Sequence, residues 1–480
     1  MTMEPFSSTA IGRRQFITAA GAAAVAVAAA PGREAQAAPA HFPKDFVWGF
    51  STSSYQIEGA VQADGRGDSI WDVFGRIPGK IMNGDTGDVA CDHYHRYAED
   101  VALMARAGTG AYRFSVAWPR ILPEGTGAVN AAGLDFYDRL VDTLLENGIA
   151  PWLCLYHWDL PQALQQRGGW LNRDIANWFA DYATIVANRF GDRVTNWITL
   201  NEPNVVALFG HGLGGHAPDL RGRPGYLAAI HHQNLAQGRA LLALRGLARP
   251  GWRLGTVVNA QPCVAPPAIR GAEAAALVWD AVWNRSCLDP LFRGAYPDIL
   301  ESSFAPLVRD GDLAEIQQPV DFLGLNYYSP MYQQPDPNGL FGTNFGPAPV
   351  GTKFTAMGWP VVPQALYQQL FDIKERYHNP PIYITENGAD YQDKPGPEGR
   401  IEDPERIAFL RDHLQVCQQA IADGANLRGY FAWTLLDNFE WADGYRRHFG
   451  LVAVDRKTMA RVPKASYYWY TEVIRANAVI

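Results

Sequence analysis

Short runs of apolar, β-branched and aromatic residues recur along the chain, each closed by Gly, Pro, Asn or a charged residue. Such runs, bounded by turn-forming residues, are typical of buried strands. Eight stretches fit this description, at intervals of roughly forty to seventy residues: Phe46–Phe50, Ala111–Val116, Ala150–Tyr156, Thr195–Leu200, Arg253–Asn259, Asp321–Tyr327, Pro381–Thr385 and Gly429–Leu435.

Between these runs the apolar residues follow the helical period instead. The pattern predicts helices over Tyr97–Ala107, Leu134–Asn147, Ile175–Phe190, Tyr226–Leu247 and Pro404–Asp423. Repeated strand–helix alternation predicts an α/β protein, a (β/α)8 TIM barrel with elaborated βα loops, the longest after strands one, five and six. A doubly wound open sheet is the alternative, but no G-x-G-x-x-G opens a helix after a strand.

Composition and charge narrow the class of protein. Of the 480 residues 48% are hydrophobic and 19% charged, with a net charge of −8. A domain of this size buries a sufficient core without metal or disulfide staples. The negative charge, and the lack of a basic cluster interleaved with aromatics, argue against nucleic acid or an anionic membrane as partner. The 5 cysteines are scattered without a C-x-x-C and predict thiols, with at most one or two bridges.

Residues 1–40 have the layout of an export signal. Arg13-Arg14 is followed by the small apolar run from Thr18 to Ala30 and by an A-x-A site, Ala35-Gln36-Ala37. The paired arginines suggest the bacterial twin-arginine route, and the run is too short and alanine-rich to predict a membrane span. We expect residues 41–480 to form a single (β/α)8 domain that acts in the periplasm or outside the cell. The alternative is an N-terminal extension that stays on the protein.

Two glutamates follow strand-like runs and are beside asparagine. One is in Thr199-Leu200-Asn201-Glu202-Pro203 and the other in Ile384-Thr385-Glu386-Asn387-Gly388. In a barrel the carboxyl ends of the strands meet at one mouth, so Glu202 and Glu386 can come together. A pair of carboxylates is what glycosidic bond cleavage needs, and retaining enzymes hold them about 5 to 5.5 Å apart. The 15 Trp, 21 Tyr and 22 Phe, with Trp frequent near these motifs, also suit a sugar site.

The chain closely resembles glycoside hydrolase family 1, the retaining β-glucosidases and β-galactosidases on a (β/α)8 barrel. The resemblance runs from Phe42 to Tyr470, essentially the whole chain after the leader. Its motifs are Tyr55-Gln56-Ile57-Glu58-Gly59-Ala60, Tyr112-Arg113-Phe114-Ser115, Tyr156-His157-Trp158-Asp159, Asn326-Tyr327-Tyr328 and Asp437-Asn438-Phe439-Glu440-Trp441.

The resemblance implies a role for each matching residue. Glu202 matches the acid/base and Glu386 the nucleophile, with Arg113 and Tyr328 beside the nucleophile and Asn201 on the sugar 2-hydroxyl. A second set is implied to bind the non-reducing sugar: Gln56, His157, Trp158, Asn326, Trp433, Glu440, Trp441 and Phe449. No cofactor is implied. His93-Tyr94-His95 and His231-His232 lack metal-site spacing, so we predict no metal site.

We predict an exo-acting retaining β-glycosidase, a β-glucosidase with some galactosidase or fucosidase activity. The expected partners are small β-glycosides or oligosaccharides. Ala442-Asp443-Gly444-Tyr445 lacks the Ser and Lys pattern of relatives that use 6-phosphorylated sugars, which favours an unphosphorylated substrate. Met357 to Ala365 departs from the family on the aglycone side, so the leaving group stays open. Two alternatives remain, a transglycosidase using the same residues and a non-catalytic sugar-binding barrel.

Overall fold

Eight parallel strands close into a barrel in the computed structural model, which describes residues 41–396 and 398–480. The predicted export signal lies outside the described residues. The strands, numbered β1 to β8 along the chain, are Val47–Ser51, Ala111–Ser115, Ala150–Tyr156, Asn196–Asn201, Arg253–Asn259, Phe322–Asn326, Ile382–Asn387 and Leu427–Trp433. Each strand pairs with its sequence neighbours, and β1 pairs with β8 to close the ring. The predicted (β/α)8 barrel is confirmed.

Long helices connect the strands around the barrel. They are His93–Arg106, Ala131–Glu146, Ile175–Phe190, Arg223–Leu247, Ala272–Asp280, Ser286–Arg293, Pro363–Arg376, Pro404–Ala422 and Ala465–Ala476. Each predicted helix matches one of these with shifts of a few residues at its ends. Among the described residues, no helix is long and apolar enough to cross a membrane.

Shorter elements fill the loops above the carboxyl ends of the strands and the remaining connections. The short α-helices are Ser54–Ile57, Ile70–Gly75, Trp118–Ile121, Gln162–Gln166, Pro203–Ala207, Asp298–Phe304 and Asp312–Ile316. The 3₁₀ turns are Ala63–Gly65, Met82–Gly84, Gly169–Leu171 and Trp441–Asp443, and π-turns span Leu208–Gly212 and Ala281–Arg285. Small strands form a three-stranded sheet of Cys263–Val264, Met331–Pro335 and Thr343–Phe345, and a hairpin of Val452–Val454 with Arg461–Pro463.

Aromatic side chains fill the inside of the barrel below the site. Trp152 packs within about 5 Å of the rings of Phe322, Tyr383 and Phe431, one each from β6, β7 and β8. Inward positions in a TIM barrel are a packed core and not a pore. Arg253, at the start of β5, covers the Trp152 ring from the opposite end of the barrel and donates to the Tyr383 hydroxyl at 2.8 Å.

Candidate active site

A cavity of about 480 Å³ opens at the carboxyl ends of the barrel strands. Most of the residues singled out from the sequence line it: His157, Trp158, Glu202, Tyr328, Glu386, Trp433, Glu440, Trp441 and Phe449. The other four lie behind the wall, each against a lining residue: Arg113, Asn201, Asn326 and Gln56. The structure therefore brings the whole predicted set into one place.

Glu386 is held on both of its carboxylate oxygens. It lies in β7, and its Oε1 accepts from Nη1 of Arg113 on β2. The hydroxyl of Tyr328 donates to its Oε2 at 2.6 Å. Burial raises the pKa of Glu386, and the charge of Arg113 with the Tyr328 hydroxyl works against that rise. Burial also works to lower the pKa of Arg113, but the Glu386 charge lifts it above its ordinary value, so Arg113 stays charged beside Glu386.

Two amides, and no cation of the described residues, donate hydrogen bonds to Glu202. Glu202 directly follows β4, and its Oε1 accepts from Nδ2 of Asn326 and from Nδ2 of Asn259, each at 2.8 Å. Burial and the charge of Glu386 raise the pKa of Glu202 to about 8, against the opposing effect of the two amides. Glu202 therefore keeps its proton at neutral pH, while its neighbour Glu386 accepts a hydrogen bond from a charged arginine.

A hydrogen-bonded chain joins the two carboxyl groups through the barrel ends. Arg113 Nη2 donates to Asn201 Oδ1, and Asn326 Nδ2 donates to the same oxygen at 3.0 Å. The Asn201 amide nitrogen then lies 3.0 Å from Nε2 of His157. Burial, followed by the charge of Arg113, lowers the pKa of His157 well below its ordinary value, so the ring is neutral. The Nδ1 atom of His157 is buried without a partner among the described residues.

One wall of the cavity is aromatic and carries Glu440. The His157 ring is 5.9 Å from both the Trp433 and the Trp441 ring, nearly parallel to each. Beside them, Glu440 Oε2 accepts from Nε2 of Gln56 at 3.3 Å. Burial, and after it the charge of Asp443, raise the pKa of Glu440 well above its ordinary value. Flat ring faces next to hydrogen-bonding groups suit a ligand with apolar C–H faces and many hydroxyls.

Unusual backbone conformations cluster at this wall. Three residues have a positive φ: Trp158 at 78°, Glu202 at 51° and Trp441 at 47°. These values lie in the left-handed region, which residues other than Gly seldom adopt. Such conformations persist where packing and hydrogen bonds fix them, and they often mark functional sites. At the end of β7, a Cβ on Gly388 would lie 1.8 Å from the Trp433 carbonyl oxygen, so this position needs glycine.

The outer part of the cavity was not predicted from the sequence, apart from the stretch Met357 to Ala365, which was expected on the aglycone side. Side chains from three loops line it, and most are apolar: Val205, Phe209, Trp283, Met331, Tyr332, Phe345, Phe354, Met357 and Trp359. These residues lie in the βα connections, several of them in short helices or strands, where an apolar residue has no signal that separates it from core packing. Asn259 and Gln261 on the same side were also missed, because an Asn that ends a strand looks like an ordinary turn residue.

The histidines without metal-site spacing are engaged in other contacts. His93 Nδ1 lies 2.7 Å from Asp100, and His231 Nε2 lies 3.0 Å from Asp312. Elsewhere in the described part of the chain, Asp393, Asp437 and His448 come close enough to suggest a cation site. Lys464 Nζ already donates to both of those carboxylates, at 2.6 Å and 2.9 Å, so the cluster carries its own cation.

Comparison with known proteins places this geometry in a family. Residues 38–479 match Glycosyl hydrolase family 1. The chain is 47% identical over 443 residues to beta-glucosidase A of Thermotoga maritima, covering 91% of this chain and 98% of that protein. It is 46% identical to a 1,4-beta-D-glucan glucohydrolase of Thermotoga neapolitana, covering 91% and 99%. A solved structure of the Thermotoga maritima beta-glucosidase in complex with glucoimidazole superposes with a TM-score of 0.88, at 46% identity and with 92% and 100% coverage.

Proposed function

The chain belongs to glycosyl hydrolase family 1 and is therefore a retaining β-glycosidase, and from that premise we propose that it is a β-glucosidase driven by Glu202 and Glu386. Glu386 is the nucleophile and Glu202 the acid/base. The observation that carries this assignment is the asymmetry between the two carboxyl groups. Glu386 accepts from Arg113 and Tyr328, whereas Glu202 accepts from two uncharged amides.

In the first step, a Glu386 oxygen bonds to the anomeric carbon as the bond from that carbon to the leaving oxygen breaks. Glu202 gives its proton to the departing oxygen, which leaves as an alcohol. Arg113 and Tyr328 fix the carboxylate so that it is aimed before the sugar arrives, which removes part of the entropic barrier. The product of this step is a glycosyl ester on Glu386.

In the second step, Glu202 must act as a base. The Glu386 charge helps to raise the pKa of Glu202, and that charge disappears when Glu386 becomes an ester. The pKa of Glu202 then falls, so the carboxylate can take a proton from water. The water oxygen attacks the anomeric carbon as the bond from that carbon to Glu386 breaks, and Glu386 leaves as a carboxylate. The two inversions together retain the configuration at that carbon.

The terminal sugar is recognised by the aromatic wall and by Glu440. Trp433 offers a ring face for stacking, and Gln56, His157, Trp441 and Glu440 offer polar atoms for hydroxyls. A site that pairs each hydroxyl rejects a sugar whose hydroxyl is missing, because a buried polar group is then left without a partner. This selection acts on the sugar and not on the leaving group.

An unphosphorylated sugar is favoured by the charges at the cavity. Asp443 lines it, and the two arginines nearest in sequence are already paired. Arg446 and Arg447 both lie within 3.1 Å of the Asp443 carboxylate. Asp443 thus holds both arginines in ion pairs, which a sugar phosphate would have to break in order to bind them.

Azide rescue of two variants tests the roles of the carboxyl groups. In Glu386→Gly, azide should occupy the vacated nucleophile position and give the α-glucosyl azide. In Glu202→Ala, azide should attack the glucosyl ester and give the β-glucosyl azide. The products can be separated by NMR of the anomeric proton. Exchanged stereochemistry would reverse the assignment, and near-normal hydrolysis by Glu386→Gly would refute it.

Transglycosylation is a second candidate, favoured by the apolar outer cavity. The rings of Phe209, Trp283 and Trp359 can pack against the apolar part of an organic alcohol, and a water molecule has no apolar part to make such contacts. The fraction of glucosyl groups transferred to an added alcohol, measured against free glucose, distinguishes the two outcomes. Binding of glucose without turnover of any nitrophenyl glycoside would favour the non-catalytic barrel instead.

We also propose export by the twin-arginine route, supported by Arg13-Arg14 and the A-x-A site. The 5 cysteines of the described residues are all free, so the fold needs no oxidising compartment before export. Cell fractionation of the full chain and of an Arg13→Lys, Arg14→Lys variant tests this. Retention of the variant in the cytoplasm is expected, and equal export of both would refute the route.

A further inference from the structure

Both amide donors to Glu202 meet the same oxygen. Asn326 Nδ2 and Asn259 Nδ2 each lie 2.8 Å from Oε1. In a protonated carboxyl group the carbonyl oxygen accepts and the hydroxyl oxygen carries the proton. With two N–H groups directed at Oε1, a proton on that oxygen would face two donors. The arrangement therefore favours the proton on Oε2.

The side-chain oxygen of each of these two asparagines accepts a hydrogen bond from another side chain. Thr385 Oγ1 donates to Asn326 Oδ1 at 2.7 Å, and Gln261 Nε2 donates to Asn259 Oδ1 at 2.6 Å. Because the side-chain oxygen of each asparagine is engaged as an acceptor, its nitrogen must be the atom that faces Glu202. Neither amide can rotate by half a turn without losing a hydrogen bond at both ends.

Gln261 is anchored further out, on the turn after β5. Its backbone N–H donates to Asn284 Oδ1 at 3.0 Å, and its carbonyl oxygen accepts from Asn284 Nδ2 at 2.9 Å. Asn284 Nδ2 also donates to Asp280, whose other oxygen accepts from Arg376. Asn259, Gln261 and Asn284 are all buried. The turn that carries Asn259 and Gln261 is therefore fixed at both its backbone and its side chains.

We propose that Asn259, oriented by Gln261, is a positioning residue that fixes the transferable proton of Glu202 on Oε2. The inference rests on the proposed acid/base role of Glu202. It adds a residue from β5 to the reaction, beyond those matched from the sequence. Asn259 also stabilises the carboxylate form, as a hydrogen bond to an anion does, so it eases the base role in the second step.

Two variants, Asn259→Asp and Asn259→Ala, test whether the hydrogen bond from the Asn259 amide to Glu202 is needed. Asn259→Asp keeps the shape but has no N–H to give, and Asn259→Ala removes the amide altogether. The substrates are phenyl β-glucoside, whose leaving group needs a proton, and 2,4-dinitrophenyl β-glucoside, whose leaving group does not. We expect kcat/KM for phenyl β-glucoside to fall roughly ten- to hundredfold in both variants. The value for the dinitrophenyl substrate should stay within about threefold.

The pH profile gives a readout that a purely structural role would not move. Loss of a donor that stabilises the carboxylate raises the pKa of Glu202, so the basic limb of kcat/KM should shift to higher pH in Asn259→Ala, which adds no charge. Gln261→Ala should shift the same limb by less, because Asn259 is still present but free to rotate. Asn234→Ala is the matched control, since it removes a buried amide that bonds Ser286 and Tyr296 and lies away from Glu202.

The outcomes separate this inference from the proposed function. If Glu202→Ala discriminates between the two substrates but the Asn259 variants slow both equally with an unmoved basic limb, the positioning role is wrong. If Glu202→Ala itself slows both substrates equally, the acid/base assignment has failed. Thermal unfolding of each variant shows whether it is folded. Should Asn259→Asp be unfolded, Gln261→Ala carries the test, and an unmoved limb there also overturns the inference.

Discussion

Tyr328 donates its hydroxyl to Glu386 at 2.6 Å, on the carboxylate oxygen that Arg113 does not hold. One residue from the middle of β2 and one from just after β6 therefore hold the two carboxylate oxygens of a residue in β7. Neither contact is predictable from spacing, because 58 and 273 residues separate the partners from Glu386.

Removing the Tyr328 hydroxyl should weaken the nucleophile. The hydrogen bond lowers the pKa of Glu386, so Tyr328→Phe should raise it and move the acidic limb of kcat/KM to higher pH. A hydrogen bond to a charged group contributes about 1.5–3 kcal/mol, so we expect a loss of roughly ten- to hundredfold in kcat/KM. Tyr332→Phe, in the same cavity but away from Glu386, is the control and should leave the acidic limb in place. An unmoved limb in Tyr328→Phe would contradict the expectation.

The basic limb of the wild-type profile should report Glu202. Its pKa is raised to about 8, so the acid keeps its proton below that pH and loses it above. Hydrolysis of phenyl β-glucoside should therefore be retained at neutral pH and decline as the pH rises past about 8. In Glu202→Ala this limb should vanish, and its persistence would assign the limb to another group.

Removing the charge of Glu386 should lower the pKa of Glu202. Burial is the larger cause of the raised value and is unchanged in Glu386→Gln, so the pKa should fall without reaching that of an exposed glutamate. Titration of ¹³C-labelled glutamate by NMR measures the shift. Asp443→Asn removes a carboxylate that acts on Glu440 and is the control. Equal shifts in the two variants would argue against direct coupling of Glu202 with Glu386.

Glu58 should matter for stability and not for chemistry, although it belongs to the same motif as Gln56. Its carboxylate accepts from Nε and Nη2 of Arg120 at 3.0 Å and 2.9 Å, and from the Tyr137 hydroxyl at 2.5 Å. Glu58→Gln leaves the buried Arg120 charge uncompensated, which costs about 3–5 kcal/mol in the free energy of unfolding.

Urea unfolding and kcat of the folded fraction check this expectation for Glu58. The unfolding midpoint should drop while kcat changes little. Glu472→Gln, which breaks the exposed pair with Arg475, is the control and should leave the midpoint nearly unchanged. A large fall in kcat for Glu58→Gln at wild-type stability would instead place Glu58 in the reaction.

Local sequence was sufficient for the barrel. The runs Ala150–Tyr156 and Arg253–Asn259 were predicted with the bounds that the structure has, as was the helix Ile175–Phe190. Their signals are short-range, since apolar periodicity and turn residues act over a few positions. The two glutamates were found for the same reason, because strand ends in a barrel are where side chains can meet.

The sequence by itself determined the strands, their order and the residue types at their ends, and its motifs indicated the family. Only the tertiary structure decided which atoms meet: that Arg113 holds one oxygen of Glu386, that Gln56 lies behind Glu440, and that Asn259 directs its amide at Glu202. The physical reason is the separation along the chain between the residues that interact. Strand formation depends on neighbours along the chain, whereas burial, charge coupling and amide orientation depend on side chains that barrel closure brings together from distant segments.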